Sequence, residues 1–287
     1  MLTKLFELDG TPAVHLQGAP MPPMSPTDEV KNTEFKGKQW YASRKAVKGV
    51  TFTNVSMSSM RLFQLTFTDC TFIDCLFIVT RFREVEFHNC SFKDCNFWKA
   101  KFERCYLRPE TIKFADRYTM DAANVGVTLY HSLLANYADE RQDAFFAQAD
   151  IEFRRWKRFQ LARDIREKKA KFWSGNWQRF TSWVYEKTAG YGYKPVRLFI
   201  ITIILFLIIA FLNRTFIGTD ILVNGHRPPE LTLVDSVYYS FSVLTVLGFS
   251  TMVPDSSAAK LLTVFEALAA IGWLGIFTSV LVKRFLR

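Results

Sequence analysis

A period of five residues dominates the first half of the chain and restricts its fold more than any other feature. Counting forward in steps of five from Phe52 to Ile112, every residue met is apolar, and nine of the thirteen are Phe. A helix repeats every 3.6 residues and a strand every 2, so neither alone explains this period. Self-similarity at a fixed period indicates a repeat architecture in which each unit packs on its neighbours. The thirteen residues are Phe52, Met57, Leu62, Phe67, Phe72, Phe77, Phe82, Phe87, Phe92, Phe97, Phe102, Leu107 and Ile112.

The repeat resembles the pentapeptide-repeat family, whose unit is A-(D/N)-L-x-x. This resemblance implies a right-handed quadrilateral β-helix in which four five-residue faces make one turn. Thirteen repeats then form about three coils, and we assign residues 47–114 to this β-helix and residues 1–46 to an N-terminal arm and cap. In each unit the central Phe or Leu is expected to point inward, together with the small residue two positions before it. Caps are expected before Val50 and after Phe114.

All five cysteines occupy this inward small-residue position. Two explanations compete: Cys acts as a small hydrophobe in the core, or Cys70 and Cys75 form a metal site with His88 and Cys90. The shared register favours core packing, because a metal site does not require every thiol to occupy the same place in the repeat. We therefore predict no metal site. The five residues are Cys70, Cys75, Cys90, Cys95 and Cys105.

Three apolar runs close the chain. Residues 196–212 and 261–282 each approach the ~20 residues that a helix needs to cross ~30 Å of hydrocarbon, so we predict two transmembrane helices. Between them, residues 233–245 form an apolar and aromatic run that is too short to cross, which favours a re-entrant helix. Irregular backbone at that depth must line water or be buried in protein. Gly248 and Pro254 mark such a segment.

The stretch DSVYYSFSVLTVLGFSTMVP resembles the pore helix and selectivity filter of two-transmembrane, potassium-type channels, D-A-L-Y-F-S-x-x-T-x-T-T-V-G-Y-G-D-x-x-P. The resemblance assigns residues 196–287 to a two-transmembrane pore-loop domain. It implies that rings of backbone carbonyls pass cations, and that the chain forms a homotetramer, since one pore segment supplies a quarter of a fourfold filter. The matching residues are Asp235, Tyr238, Ser240, Leu244, Thr245, Gly248, Val253 and Pro254.

The assigned filter differs from the family pattern. Val246 replaces a Thr whose hydroxyl would add an ion ligand, and Ser250 replaces a left-handed Gly, at a cost of about 1–2 kcal/mol. Thr251 replaces the usual acid at the outer mouth, where Asp255 is near enough to supply a charge. In an alternative alignment, Thr245 and Val246 form the Thr-Val pair of the filter and Leu247 is an insertion. We predict conduction of monovalent cations, potassium and/or sodium. By the resemblance, the ion-conducting residues are Thr245, Val246, Leu247, Gly248, Phe249 and Ser250.

Three residues of the second span are candidates for pore support or gating. Glu266 lies about two turns below the outer boundary, and acids at such depth usually face a protein interior or water. Its two explanations are a structural bond to the pore helix behind the filter and a direct role in ion binding or gating. Gly272 and Gly275 fit either a hinge of the inner helix or close helix packing through small residues.

The pattern becomes helical between the repeat and the first span. Residues 115–171 are predicted to form a helical cytoplasmic connector, a hairpin broken at the polar run 138–143. Residues 154–171 carry nine basic side chains against two acidic ones, which fits either anionic lipid binding or a solvated helix face. Residues 172–195, rich in Trp and Phe, are predicted to form an interfacial amphipathic helix and a turn.

Charge placement predicts the orientation in the membrane. Basic residues precede Val196 and follow the second span, whereas residues 213–234 carry only Arg214 and Arg227. Both termini are therefore expected on the cytoplasmic side of a plasma (inner) membrane. Residues 1–30 show no signal peptide.

The favoured function is a subunit of a tetrameric cation channel whose cytoplasmic repeat domain contributes to assembly or gating. The alternative is a membrane-anchored interaction scaffold with a non-conducting or non-selective pore. No paired carboxylates, nucleophile motif or phosphate loop indicates an enzyme, and no cofactor is expected. The expected partners are further copies of the chain, membrane lipid and an unidentified cytosolic protein or ligand. Residues 50–114 carry nine Lys and Arg against seven Asp and Glu, which argues against a nucleic-acid mimic.

Overall fold

A computed structural model describes residues 5–10, 14–17, 25–36, 40–41, 46–216, 220–226, 231–245 and 251–285. The chain divides into two compact units, Met1–Ser182 and Trp183–Arg287. The first unit contains a β-solenoid followed by helices. The second contains the apolar helices of the C-terminal region, and one helix, Phe172–Ala189, crosses the boundary between the units.

Parallel coils of short strands form the solenoid between residues 29 and 113, in about four turns. Phe52 pairs in register with Phe72, and Phe72 with Phe92, so each coil advances by twenty residues. The quadrilateral β-helix implied by the pentapeptide-repeat resemblance is thus confirmed. The strands are β1 (Val14–Gln17), β2 (Glu29–Lys31), β3 (Thr33–Lys36), β4 (Trp40–Tyr41), β5 (Ala46–Lys48), β6 (Thr51–Thr53), β7 (Arg61–Phe63), β8 (Thr66–Thr68), β9 (Thr71–Ile73), β10 (Arg81–Arg83), β11 (Glu86–His88), β12 (Ser91–Lys93), β13 (Lys101–Glu103) and β14 (Ile112–Lys113).

Three sheets and one line of isolated bridges form the four sides. The sheets have the strand orders β13-β10-β7-β4, β11-β8-β5 and β14-β12-β9-β6-β2. The fourth side consists of bridges that join Glu34, Ser56, Leu76 and Asn96 in successive coils. Strand β1 lies outside this arrangement and pairs with β3.

Left-handed backbone at every corner explains the five-residue period. Each fifth residue from Asn54 to Arg104 has a positive φ, between 51° and 60°. Asn and Asp tolerate this conformation and occupy several corners, among them Asp69 and Asp94. At Val79 the same conformation is imposed on a β-branched side chain, which is unfavourable.

Stacked phenyl rings fill the solenoid. The ring centroids of Phe52 and Phe72 are 4.8 Å apart, and those of Phe72 and Phe92 are 4.9 Å apart, with interplanar angles of 3° and 5°. Rings on adjacent sides meet edge to face, as Phe67 does with Phe72 at 5.7 Å. Both geometries are favourable for aromatic pairs. The repeated Phe is therefore a core residue whose contacts recur from coil to coil.

The solenoid begins before the predicted boundary at residue 47. Val30 of β2 pairs with Phe52, a separation of twenty-two residues, whereas Val47 of β5 pairs with Phe67 at the regular twenty. Two additional residues in the first coil shift it out of the five-residue register. Counting in fives from Phe52 therefore misses this coil, which occupies part of the predicted N-terminal arm.

The cysteines are all buried and unpaired. Each thiol donates a hydrogen bond to the carbonyl two residues earlier, at 3.3–3.5 Å, as Cys105 does to Glu103. Burial raises the pKa of the Cys105 thiol to about 11, and it also raises that of Cys95. Within the described ranges, no three His, Cys, Asp or Glu residues come together as a metal site. The inward cysteines thus pack as small core side chains.

Helix α2 (Ala123–Asp139) covers the last coil and pairs with its backbone. The Asn136 side chain accepts from the Cys105 N–H and donates to the Cys105 carbonyl, both at 2.8 Å. The Tyr137 hydroxyl donates to the Leu107 carbonyl at 2.5 Å. These contacts satisfy backbone N–H and carbonyl groups of the last coil, which have no further coil to pair with. The cap predicted after residue 114 is this helix.

Two further helices flank α2 in the first unit. Helix α1 (Asp116–Asp121) precedes it, and α3 (Asp143–Arg166) folds back on it after a short turn, as the polar break at residues 138–143 indicated. The Trp156 ring lies against Gly126, where an added Cβ would approach it to 2.0 Å. Only glycine permits α2 and α3 to pack this closely.

The second unit contains two helices long and apolar enough to cross a membrane, over residues 195–215 and 257–282. Few residues in either are buried, unlike the core helix of a soluble protein. The elements from residue 172 onward are α4 (Phe172–Ala189), a 3-10 turn (Gly190–Gly192), α5 (Pro195–Phe216), β15 (Ile221–Val223), α6 (Leu233–Leu244), β16 (Met252–Pro254) and α7 (Ser257–Phe285).

Candidate functional site

The short helix α6 lies in the chain between the two candidate spans and has a well-formed start. Thr232 Oγ1 accepts from the Asp235 N–H at 3.1 Å, and its hydroxyl donates to the Asp235 carboxylate at 2.6 Å. This reciprocal capping fixes the first turn. Twelve residues of helix are too few to cross a bilayer, which agrees with the re-entrant helix expected over residues 233–245.

Helix α6 ends where the predicted filter begins. Thr245 is its C-cap, and the Thr245 hydroxyl donates to the Phe241 carbonyl at 2.6 Å. The C-terminal end of a helix carries partial negative charge, which favours cations beside it. The next five predicted filter residues lie outside the described residues: Val246, Leu247, Gly248, Phe249 and Ser250.

Beyond the filter, two strands and an acid pair lie at the predicted outer mouth. Strands β15 and β16 pair antiparallel, and the Asp255 N–H donates to the Asp220 carbonyl at 2.8 Å. Ser256 Oγ donates to the Asp220 carboxylate at 2.7 Å and caps α7 by accepting from the Ala259 N–H at 3.1 Å. Thr251 is exposed. Sequence reasoning singled out Thr251 and Asp255 but missed Asp220, because only the strand pairing brings it near.

A buried polar cluster joins α6 to both long helices. Asn213 of α5 is completely buried, and its Nδ2 donates to Ser240 Oγ of α6 at 2.9 Å and to Glu266 Oε2 of α7 at 3.3 Å. Only 5% of Glu266 is exposed. Unpaired polar groups are costly in an apolar setting, so these three side chains stabilise one arrangement of the helices.

This geometry bears on the two explanations offered for Glu266. Its carboxylate accepts from Asn213, which also donates to Ser240 on the buried side of α6. This arrangement favours the structural explanation. Sequence reasoning singled out Glu266 as a rare charge in an apolar run. It missed the role of Asn213, although this first polar side chain after a long apolar run was the available signal.

Two further hydrogen bonds connect these helices. The hydroxyls of Tyr239 in α6 and Thr263 in α7 lie 2.6 Å apart. Trp273 Nε1 of α7 donates to Thr202 Oγ1 of α5 at 2.9 Å. Together with the Asn213 cluster, they join each pair of helices through polar side chains, so α6 is held on both sides.

Gly272 and Gly275 lie in α7, which continues through both positions as one helix. An added Cβ at either glycine would meet no atom within 4 Å among the described residues. Packing within one chain therefore does not require them, and both explanations, a hinge or contact with another copy, stay predictions. Gly275 also lines an apolar groove of about 440 Å³ together with Leu244, Ala270, Ile271, Leu274, Thr278, Ser279 and Val282.

Replacing Glu266 distinguishes its two explanations. We expect Glu266→Ala to leave Asn213 without its second acceptor and to weaken the assembled protein by about 1–3 kcal/mol, measured as a lower midpoint of detergent-induced dissociation and unfolding. Glu266→Gln retains an acceptor for Asn213 and should remain near the parent. If Gln instead alters ion selectivity as much as Ala does, the carboxylate charge acts directly on ions.

Comparisons with known families agree with the two halves of the fold. Residues 197–287 match a family described as ion channel, and residues 61–108 match the pentapeptide repeats in eight copies. The fusion expected from the sequence is confirmed by these two matches. No curated protein matches the chain. The chain is therefore a membrane protein that combines a channel-type domain with a pentapeptide-repeat solenoid.

Proposed function

We propose that the chain is one subunit of a homotetrameric channel that conducts monovalent cations. The observation that carries this proposal is the placement of α6. It is capped at its start, joined to both long helices by Asn213, Ser240 and Glu266, and followed in the chain by the predicted filter residues 246–250. A scaffold without conduction would not require a re-entrant helix held on both sides.

Exposed apolar surface supports assembly into a larger complex. Large apolar side chains are exposed along the length of α7, and both lipid and further copies of the chain are needed to cover them. One chain supplies a single pore helix, so a fourfold ring completes the pore that the family resemblance implies. The exposed side chains on α7 are Leu261, Val264, Phe265, Leu268, Ile271, Leu274, Ile276 and Val282.

We propose that potassium, sodium or both pass through this pore, with both termini cytoplasmic. Rings of carbonyl oxygens and the C-terminal ends of four α6 helices would favour cations. The acids Asp220 and Asp255 would add negative charge at the outer mouth. The solenoid would contribute to assembly or gating from the cytoplasmic side.

Ion flux through purified protein in liposomes tests this function. We expect potassium or sodium efflux well above that of empty vesicles, and reversal potentials that follow the cation gradient and not the chloride gradient. The mass of the protein in detergent should correspond to four chains. A tetramer without flux would support the scaffold instead, and a monomer or a chloride-selective conductance would contradict the channel proposed here.

Membrane lipid is the second partner that we propose, at the aromatic face of α4. Trp173 is 85% exposed, and Trp177 and Phe180 follow on the same side of the helix. Such a face suits the headgroup layer. On α3 many basic groups are already paired, for example Arg154 with Asp150 and Arg155 with Glu152. The lipid contact therefore rests on the aromatic face of α4 more than on the charges of residues 154–171.

Brominated lipid chains quench nearby tryptophan fluorescence and test this contact in the full-length protein. We expect Trp173→Phe to reduce the quenched fraction measurably. The control Trp98→Phe removes a tryptophan that packs against Phe6 on the solenoid, and should leave the quenched intensity unchanged. Equal effects of the two substitutions would argue against α4 as the lipid contact.

A further inference from the structure

One side of the solenoid carries a row of three cations. Arg81 of β10 is in register with Arg61 of β7 on one side and with Lys101 of β13 on the other. Neighbouring strands are ~4.8 Å apart, and like charges directly opposite each other destabilise a sheet. Within the part of the chain that the structure describes, none of the three forms a salt bridge.

Elsewhere on the same three coils, polar side chains of successive coils pair with each other. Three residues further along each coil, Gln64 donates to the Glu84 carboxylate at 2.9 Å, and Arg104 pairs with the other oxygen of Glu84. This row contains one anion between a cation and an amide. The uncompensated row of Arg61, Arg81 and Lys101 is therefore not a requirement of the solenoid.

Two of these cations line a cavity within the first unit. Arg81 and Lys101 border a space of about 780 Å³ between the solenoid and helices α2 and α3, and Lys99 and Lys157 add two more positive charges. The acids Glu103 and Asp139 also line it, so the ionised groups carry an excess of two positive charges. All four cationic residues are exposed. The volume lies in the range of small-molecule sites.

The other walls of the cavity are suited to an apolar or planar group. Val127, Ala135 and Phe153 line it. The His131 ring lies 5.9 Å from the Phe153 ring, and Lys157 Nζ stands 4.6 Å from the same ring centroid. A ligand body resting here would contact aromatic surface while its charged end meets the cations.

Strained backbone lies at the edge of the same cavity. Val79 lines it, is 44% exposed and has a φ of 58°. A β-branched residue with left-handed backbone is rare, and strain of this kind clusters at ligand sites. At most other corners of the solenoid the residue is polar, as with Asn89 and Asp94. Val79 extends the apolar wall where a polar side chain would suit the backbone better.

We propose that this cavity binds a small phosphorylated compound with a planar or apolar body. The Arg81 guanidinium and the Lys101 ammonium would donate to phosphate oxygens, and the body would lie against Phe153. Arg binds phosphate through two parallel hydrogen bonds, and Lys acts as a point charge. Free nucleotides and phosphorylated lipid headgroups share this chemistry, so the experiment must separate these two sources.

Titration calorimetry on the full-length protein in detergent tests the proposal, with ADP, pyrophosphate and adenosine as probes. We expect ADP to bind more tightly than pyrophosphate, because only ADP also carries a planar body, and adenosine to bind weakly. Arg81→Gln should weaken ADP binding about tenfold or more. The same measurement in nanodiscs with phosphatidylinositol phosphate, against phosphatidylcholine, tests the lipid source.

The matched control is Lys93→Gln. Lys93 also lies on an exposed strand and pairs in register with another cation, Lys113, but on a different side of the solenoid and outside the cavity. We expect this variant to retain parent affinity for each probe. Both variants should melt at or above the parent temperature without ligand, since each removes like-charge repulsion.

Loss of ADP binding in Arg81→Gln but not in Lys93→Gln supports the site and identifies a soluble ligand, whereas the same pattern with the phosphoinositide alone identifies a lipid headgroup. Absence of binding by every phosphorylated probe at millimolar concentration overturns the proposal, as does equal weakening in both variants. These binding readouts do not depend on ion flux, so they stand apart from the proposed channel function.

Discussion

Phe72→Ala is expected to open the solenoid about 10²- to 10⁴-fold more often than in the parent protein. The Phe72 ring stacks between those of Phe52 and Phe92 and meets Phe67 and Phe77 edge to face. Truncation of a fully buried Phe costs about 3–5 kcal/mol through lost burial and the cavity that remains. Because each coil contacts only its neighbours, the loss weakens two interfaces between coils at once.

The buried thiols provide the measurement for this prediction. Cys75 and Cys95 lie in the same core and are fully buried, so alkylation under native conditions requires the coils to open. The rate of alkylation in the full-length protein should rise with the population of the open state. The matched control is Phe63→Ala, which removes an outward phenyl ring that contacts Arg83 and should change the rate less than fivefold. Equal rates in the two variants would contradict the stacked core.

Gly248→Val is expected to reduce cation flux in liposomes to the level of empty vesicles. The residue lies between the C-terminal end of α6 at Leu244 and strand β16 at Met252, and the family resemblance assigns it to the filter. In the proposed tetramer, a β-branched side chain restricts the backbone there and narrows a pathway formed by four copies. Every copy in the proposed tetramer carries the substitution, so the expected loss of flux through the shared pore is complete.

Assembly provides the control for the Gly248 experiment. The variant should elute at the parent mass in detergent and melt at a similar temperature, since the contacts that join the helices through Asn213 and Tyr239 are unchanged. Flux that persists at the parent level in a correctly assembled variant would exclude the predicted filter. Loss of assembly together with flux would instead assign Gly248 a structural role.

The regular part of the fold was predictable from the sequence because a single physical pattern repeats without interruption. Every coil from Phe52 onward places an inward apolar residue at the same interval, so the period, the cysteine placement and the sides of the β-helix follow together. The first coil was not predictable in this way. Two additional residues between Val30 and Phe52 break the interval, and only the observed strand pairing reveals it.

The polar contacts of the candidate site show a similar division. Hydropathy and length identified two spans and a short helix, and Glu266 stood out as a charge in an apolar run. The partners of that charge, Asn213 and Ser240, come from helices separated by long stretches of chain, so no local pattern connects them. The row formed by Arg61, Arg81 and Lys101 was hidden for the same reason, since its members are neighbours only across coils.

Because each regular coil advances by twenty residues, the length of the solenoid is set by the number of coils. Removing or duplicating twenty consecutive residues would place Phe52 against Phe92, or add another phenyl to the stack, without creating a new kind of contact. The length of the domain can therefore change in steps of one strand spacing, ~4.8 Å, while its core and its corners stay the same. Insertions of another size would shift the five-residue register, as the two additional residues of the first coil do, so length variation among the regular coils is expected to occur in whole coils.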